Sequence, residues 1–421
     1  MITILVLMLI VLLVLNVPVG FALLAASMAS LAYGGVPMAL VVQRMTTAAD
    51  SFVLLAIPLF IFAGALMSRG GMAQAIFDFA EALVGFIRGG LAQVNIATSM
   101  FFGGITGAAV ADTSAVGSIM IRPMLERGFD RGLTAAVTAS SSTIGVMIPP
   151  SIPMILFAVV TGVSLGQLFL AGIVPGIIVG LVLMFTTWLL LRNSNVPVTS
   201  FNWPRVGRTF IVGLPALLTP VIIIGGILTG VVTPTEAAVL AVAYALLLGM
   251  VTRRLRWPEI VASAIETAVT TGAVMIMVAA ASLYGLVLTR EQVPADAASL
   301  ISGMTESPML LLFLIVLLYL VAGAILDLGA NIIILVPVLY PVVQEFGVDP
   351  VHFGVITIVA LAIGLVTPPV GICLFVASSI AEIGITEASR AVVPFFFALL
   401  AVLVLIIFVP DVALWLPRVM R

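Results

Sequence analysis

The chain has 421 residues, of which 63% are hydrophobic and 8% charged, with a net charge of −2 and a mean hydropathy of +1.36. Soluble domains carry about 25% charged residues, so this composition excludes a soluble globular fold and describes an all-α polytopic membrane protein. All 16 basic residues are arginine without a basic patch or tail, which excludes a nucleic-acid partner; one cysteine, Cys373, and one histidine, His352, exclude a disulfide framework and a thiolate metal centre.

The first apolar run, 2–33, is interrupted by Asn16-Val17-Pro18-Val19-Gly20. It has no basic n-region, so it reads as a retained first span and not as a cleaved signal peptide. A second span follows at 51–68. Gln74, Asp78, Glu81 and Arg88 then recur at three-, four- and seven-residue spacing among apolar neighbours, the pattern of an amphipathic helix lying at the interface. The region 91–125 is longer than one span and is interrupted by GGITGAAVADTSAVG at 103–117. Such a stretch predicts a re-entrant hairpin, because irregular backbone at membrane depth must be buried in protein or line a cavity.

The next span, 132–160, contains Pro149-Pro150. Two consecutive prolines remove two backbone donors and clash with the preceding turn, so this helix is broken. Spans at 168–191, 209–230, 234–252 and 262–288 follow. Glu236, after Thr233 and Pro234, reads as part of a capped helix start. Asp296 and Ser299 mark a second interfacial stretch. A second long apolar region, 309–345, is interrupted by GAILDLGAN at 323–331; a second broken span, 351–379, contains Pro368-Pro369; the last span is 390–410. His352, at the start of its apolar segment, reads as a helix-start polar residue rather than a proton relay.

The two Pro-Pro segments are copies. IGVMIPPSIPMILFA at 144–158 and IGLVTPPVGICLFVA at 363–377 align without gaps at an offset of 219, matching Ile144, Gly145, Pro149, Pro150 and Ala158 to Ile363, Gly364, Pro368, Pro369 and Ala377. The same offset places Gly104, Ala111 and Asp112 on Gly323, Ala330 and Asn331. The expected organisation is therefore a first repeat over 1–208, a linking span at 209–230 that reverses the sense, and an inverted second repeat over 231–421. With the N-terminus inside, Arg69, Arg88, Arg122, Arg127, Arg131, Arg192, Arg205, Arg208, Arg253, Arg254, Arg256 and Arg390 are cytoplasmic. Arg44, Arg290, Arg418 and Arg421 then lie outside, where Glu306, Glu345 and Asp349 flank the second hairpin. Twelve against four satisfies the positive-inside rule.

Charged side chains inside a membrane add about 2.5–3.5 kcal/mol each to insertion. Two carboxylates nevertheless fall at the predicted hairpin tips, Asp112 and Asp327. Asp112 stands in a row of oxygen donors with Thr106, Thr113 and Ser114, facing Ser140, Ser141, Ser142, Thr143 and the carbonyls freed by Pro149 and Pro150. Asp327 has Asn331 beside it and Thr367 opposite. Oxygen-only clusters of this kind suit a hard alkali cation, which predicts one Na⁺ site per repeat; the bland alternative for each aspartate is a helix cap. Helix N-termini converging between the tips would favour a carboxylate substrate, with Thr106, Thr113, Ser114, Thr143, Ser151 and Asn331 as candidate contacts.

SFVLLAIPLFIFAGALM at 51–67, GGITGAAVADTSAVG at 103–117, IGVMIPPSIP at 144–153, GVVTPTEAA at 230–238 and GLVTPPVGICLF at 364–375 resemble, in order, the large membrane subunit of tripartite ATP-independent periplasmic (TRAP) transporters. The resemblance implies an ion-transporter-type elevator fold with two inverted repeats in the bacterial inner membrane, and Na⁺-coupled uptake of a small organic acid. It also implies a separate small four-helix membrane subunit and a periplasmic substrate-binding protein; the lipid-like faces of 1–33 and 209–252 are candidate partner surfaces. Carried over by motif, one ion site would use Thr106, Asp112, Ser114, Gly145 and Pro149, and the other Gly323, Asp327, Gly364 and Thr367. The rival readings are a stand-alone carboxylate permease and an intramembrane aspartyl enzyme, the latter requiring Asp112 and Asp327 to lie about 3 Å apart.

Overall fold

The fold, obtained as a computed structural model, is described for residues 1–194, 196–303 and 307–420. Glu306 and Arg421, counted above, lie outside the described residues. Among the described residues the secondary structure is helical throughout, and seven helical segments are long and apolar enough to cross a membrane.

The chain begins with α1 (Ile2–Val14) and α2 (Val19–Tyr33). At 1.5 Å per residue each is roughly 20 Å long, short of a hydrocarbon core of about 30 Å. Asn16 takes a left-handed φ of 60° and Pro18 offers no N–H, so the helix stops between them. The turn reverses the chain: Ser30 Oγ donates to the Met1 carbonyl at 2.9 Å. The 2–33 run is thus an antiparallel pair and not one interrupted span. Apolar composition is the same for both, and only tertiary contact distinguishes them.

Then follow α3 (Met38–Ala49), a helix that the apolar-run reading does not separate, α4 (Ala56–Arg69), and the interfacial arm α5 (Met72–Val84). The first hairpin is α6 (Leu91–Thr106) and α7 (Ala109–Glu126). Its turn is Gly107, whose φ of +65° favours glycine. In the first broken helix, α8 (Arg131–Ser142) tightens into a 3₁₀ turn at Thr143–Val146, stops at Pro149-Pro150 and resumes as α9 (Ile152–Thr161). Four long helices follow: α10 (Leu165–Leu191), α11 (Trp203–Leu228), α12 (Pro234–Val251) and α13 (Trp257–Arg290). Thr233 and Glu236 form the expected capping box at the start of α12.

The second arm is α14 (Val293–Ser302), the second hairpin α15 (Pro308–Gly323) with α16 (Leu328–Glu345), and the second broken helix α17 (Pro350–Gly364) with α18 (Ile372–Ile380). The chain ends with α19 (Ile385–Phe408) and α20 (Asp411–Val419). The broken helices form the centre: every residue from Val351 to Gly364 is buried, as is every residue from Thr134 to Ser142. His352 Nε2 lies 2.9 Å from the Ile406 carbonyl, a satisfied core histidine. The long helices turn side chains such as Leu181, Ile211, Val221 and Val269 outward, as a lipid-facing belt requires.

The N-terminal pair packs on α13, and the Met1 amino group meets Glu291 at 3.2 Å. The 34 residues of α13 span about 50 Å. Met1 and Arg290 therefore share one end of α13, while Arg253, Arg254 and Arg256 precede the other. Met1 is thus at the end of α13 opposite those three arginines, whereas the expected arrangement has it on their side. The fold-back at Asn16 adds a reversal that a count of apolar runs does not register.

Candidate functional site

The two hairpins and the two breaks are built into one body by backbone contact. A Cβ placed on Gly103 would lie 2.7 Å from Gly145 Cα, and one on Gly364 would lie 2.5 Å from Gly323 Cα. Each hairpin arm thus touches its broken helix with no side chain between. The tips are also stitched to the breaks. Ile152 N–H donates to the Gly107 carbonyl at 3.1 Å, and Val370 N–H donates to the Ala324 carbonyl at 3.2 Å. The halves interlock reciprocally: Gly117 of α7 faces Ile380 of α18, and Gly329 of α16 faces Leu156 of α9. The glycine that pairs with Gly145 is Gly103, not Gly104, which instead meets Pro220 and the Pro149 carbonyl.

Asp112 occupies the fourth position of α7 and is fully buried. Its Cβ lies 3.5 Å from where a Cβ on Gly145 would sit. Neither carboxylate oxygen has a hydrogen-bond partner among the described residues. The neighbouring hydroxyls of Ser99 and Ser142 are committed elsewhere: Ser99 Oγ donates to Ser141 Oγ at 3.1 Å and Ser142 Oγ to the Thr138 carbonyl at 2.8 Å. Asn95 and Ser99 on α6 complete this polar wall; Asn95 Nδ2 donates to Thr138 Oγ1 at 2.7 Å. Both were missed in the sequence reading, although their spacing of four places them on one helical face.

The second half is not a copy in chemistry. The counterpart of Asp112 is Asn331, whose Nδ2 donates to the carbonyls of Ala322 (3.3 Å), Leu326 (3.0 Å) and Asp327 (3.1 Å) while its Oδ1 has no partner. Asp327 is the N-cap of α16, accepting from Gly329 N–H at 3.0 Å, and is exposed. Asp112 and Asp327 are therefore two different devices, one buried and unpartnered and one capping. Thr367 Oγ1 donates to the Ile363 carbonyl at 2.7 Å, leaving its lone pairs free.

The candidate substrate contacts divide. Thr106 and Ser114 line a cavity of about 700 Å³ between the first hairpin tip, α4 and α13. Thr106 Oγ1 has no partner among the described residues, while Ser114 Oγ donates to the Val110 carbonyl at 3.0 Å. Thr113, Thr143, Ser151 and Asn331 are buried outside that lining. Thr113 and Thr143 donate to the carbonyls of Ala109 (2.9 Å) and Ser140 (2.7 Å), and Ser151 caps α9. A second cavity of about 600 Å³, among Ser164, Gln167, Val232 and Pro417, has no charged side chain in its lining.

A family model described as "Tripartite ATP-independent periplasmic transporter, DctM component" matches residues 6–412. The chain is similar to the C4-dicarboxylate TRAP transporter large permease protein of Pseudomonas aeruginosa, 38% identical over 89% of this chain and 88% of that one. It is 37% identical to the sialic acid TRAP transporter large permease protein of Vibrio cholerae, over 96% and 95%. It is 40% identical to the isethionate TRAP transporter permease protein of Oleidesulfovibrio alaskensis, covering 96% of this chain but 64% of that longer protein. The YdaH transporter of Alcanivorax borkumensis shares the fold, with a TM-score of 0.58 at 16% identity over 87% of this chain and 86% of that one. These relatives carry permease names, which sets aside the aspartyl-enzyme reading. The chain belongs to the family of DctM components of tripartite ATP-independent periplasmic transporters.

Proposed function

We propose that the chain carries a small organic acid across the bacterial inner membrane, coupled to Na⁺ and supplied by a periplasmic binding protein together with a small membrane subunit. The observation that carries the ion coupling is the Asp112 carboxylate, buried against Gly145 with two oxygens unpartnered among the described residues. An isolated buried carboxylate is strongly disfavoured unless a cation or proton meets it. An all-oxygen environment suits Na⁺. The Thr106, Ser114, Gly145 and Pro149 segment would complete that site; Gly323, Asp327, Gly364 and Thr367, with the unpartnered Asn331 Oδ1, would form the second.

Relatives named for C4-dicarboxylate, 2,3-diketo-L-gulonate and sialic acid support an organic acid as the substrate class. The interlocked hairpins and broken helices form the body that would move; α4, α11, α12 and α13 form the frame, in an elevator-type alternation between two inverted repeats. The arginine-rich side is assigned to the cytoplasm by the positive-inside rule, which places Met1 and Glu291 outside. Two Na⁺ with one monoanion carry a net positive charge inward, worth about 2.3 kcal/mol at 100 mV. A tenfold gradient adds about 1.4 kcal/mol per ion.

The test is uptake into proteoliposomes holding this chain and its small subunit, with loaded binding protein outside. Uptake is expected with an inward NaCl gradient and not with KCl. Uptake that persists without binding protein would identify a stand-alone permease instead, and equal uptake in KCl would remove Na⁺ coupling.

A further inference from the structure

The cavity of about 700 Å³ beneath the first hairpin tip contains one ion pair that the site above does not use. Arg69 Nη2 lies 2.8 Å from Glu266 Oε2, joining the end of α4 to α13. Both side chains are substantially exposed, at 41% and 56%. An exposed pair of this kind adds little to fold stability, and its partners exchange readily because water already solvates them. Another part of the lining comes from the start of α7, with Ala108, Val110 and Ala111. No side chain caps that helix, in contrast to α16, which Asp327 caps. The unpartnered hydroxyl of Thr106 stands beside it.

We propose that Arg69 is the carboxylate-binding residue of this cavity, and that Glu266 holds its guanidinium until a substrate carboxylate displaces it. The guanidinium fork matches a carboxylate in two-point geometry. Glu266 is itself a carboxylate, so it competes for the same donors and weakens retention on this side, which favours release. Because Arg69 and Glu266 belong to the frame and the hairpin tip to the moving body, the contact exists only in the state that brings the two together. This assignment rests on the organic-acid reading above.

The experiment is a thermal-shift titration of the purified protein in NaCl with succinate, N-acetylneuraminate and gluconate as probes. It compares wild type with Arg69→Gln, Glu266→Gln and the double variant. Unliganded unfolding temperatures matching wild type certify the folds. With whichever probe stabilises wild type, Arg69→Gln and the double variant are expected to bind at least tenfold more weakly. Glu266→Gln is expected to bind severalfold more tightly. A double variant that binds as wild type would overturn the assignment and leave the pair as a structural bridge. A wild type that responds to none of the three acids would overturn the organic-acid reading, and this assignment with it; the two failures are read on different proteins.

Discussion

Gly103 and Gly145 meet backbone to backbone: any Cβ on Gly103 would sit 2.7 Å from Gly145 Cα, whereas a Cβ on Gly145 would find its nearest neighbours at 3.5 Å. The same contact recurs at Gly323 and Gly364, where the crowded member is Gly364, with Gly323 C at 2.4 Å. Gly103→Ala and Gly364→Ala are therefore expected to destabilise by about 1–3 kcal/mol, the usual scale of overpacking a close-packed contact. Gly145→Ala is expected to be tolerated. Unfolding temperatures of the three purified variants check this, and equal losses at Gly103 and Gly145 would contradict the asymmetry.

The contrast between Asp112 and Asn331 makes a paired prediction. Asn331 supplies a neutral amide to three carbonyls of its hairpin tip; Asp112, at the matching place in the other half, supplies none. Asp112→Asn should stand at least as stable as wild type in KCl and lose the extra stability that NaCl confers. That increment is about 1.4 kcal/mol when Na⁺ is tenfold above its Kd. Asn331→Asp removes the two N–H donors that these three carbonyls share and should lose about 2 kcal/mol. An Asp112→Asn protein that still responds selectively to NaCl would move the ion site elsewhere.

Glu81 ties the first arm to two other parts of the chain. Its carboxylate accepts from Arg205 of α11 at 2.5 Å and from Arg127, between α7 and α8, at 3.4 Å. Glu81 is buried while both arginines are half-exposed, so solvent screens part of the attraction. Glu81→Ala is expected to destabilise by about 1–2 kcal/mol, and Glu81→Gln by less, since the amide oxygen still accepts. Scanning fluorimetry of both variants at low and high salt measures the difference.

Glu291 gives a pH dependence. Its carboxylate accepts from Ile2 N–H at 3.2 Å, which, with the Met1 amino group and Arg290 nearby, holds it below the ordinary glutamate value of 4.5. A depressed acid stabilises the folded state above its ordinary range, and that contribution is lost as pH falls through the folded-state value. Docking of the α1–α2 pair should therefore persist at neutral pH and loosen below pH 4.5. Hydrogen exchange across 2–33 reads it directly. In Glu291→Gln the same segment should already exchange faster at neutral pH.

Much was legible without coordinates because lipid imposes a strict rule: backbone polar groups must be satisfied within the protein. A Pro-Pro pair in an apolar run can only be a buried break, and apolar regions interrupted by glycine, threonine and aspartate can only turn back inside protein. Pro149-Pro150, Pro368-Pro369 and the turns at Gly107 and Asp327 lie where that rule places them. Glu236 likewise has the cap role that its neighbours predict, and His352 stands in the first turn of α17 as expected, its burial against the Ile406 carbonyl coming from packing.

What the tertiary structure alone decided is which groups meet. Composition cannot tell one interrupted span from two short antiparallel helices, so the reversal at Asn16 and the position of Met1 beside Glu291 come only from packing. Their places at the two hairpin tips made Asp112 and Asp327 look alike; burial and hydrogen bonding separate the unpartnered carboxylate from the cap. Arg69 and Glu266 are 197 residues apart, and no local pattern relates them. A chain's periodicity encodes which face a residue occupies, whereas the partner across that face is set by long-range packing.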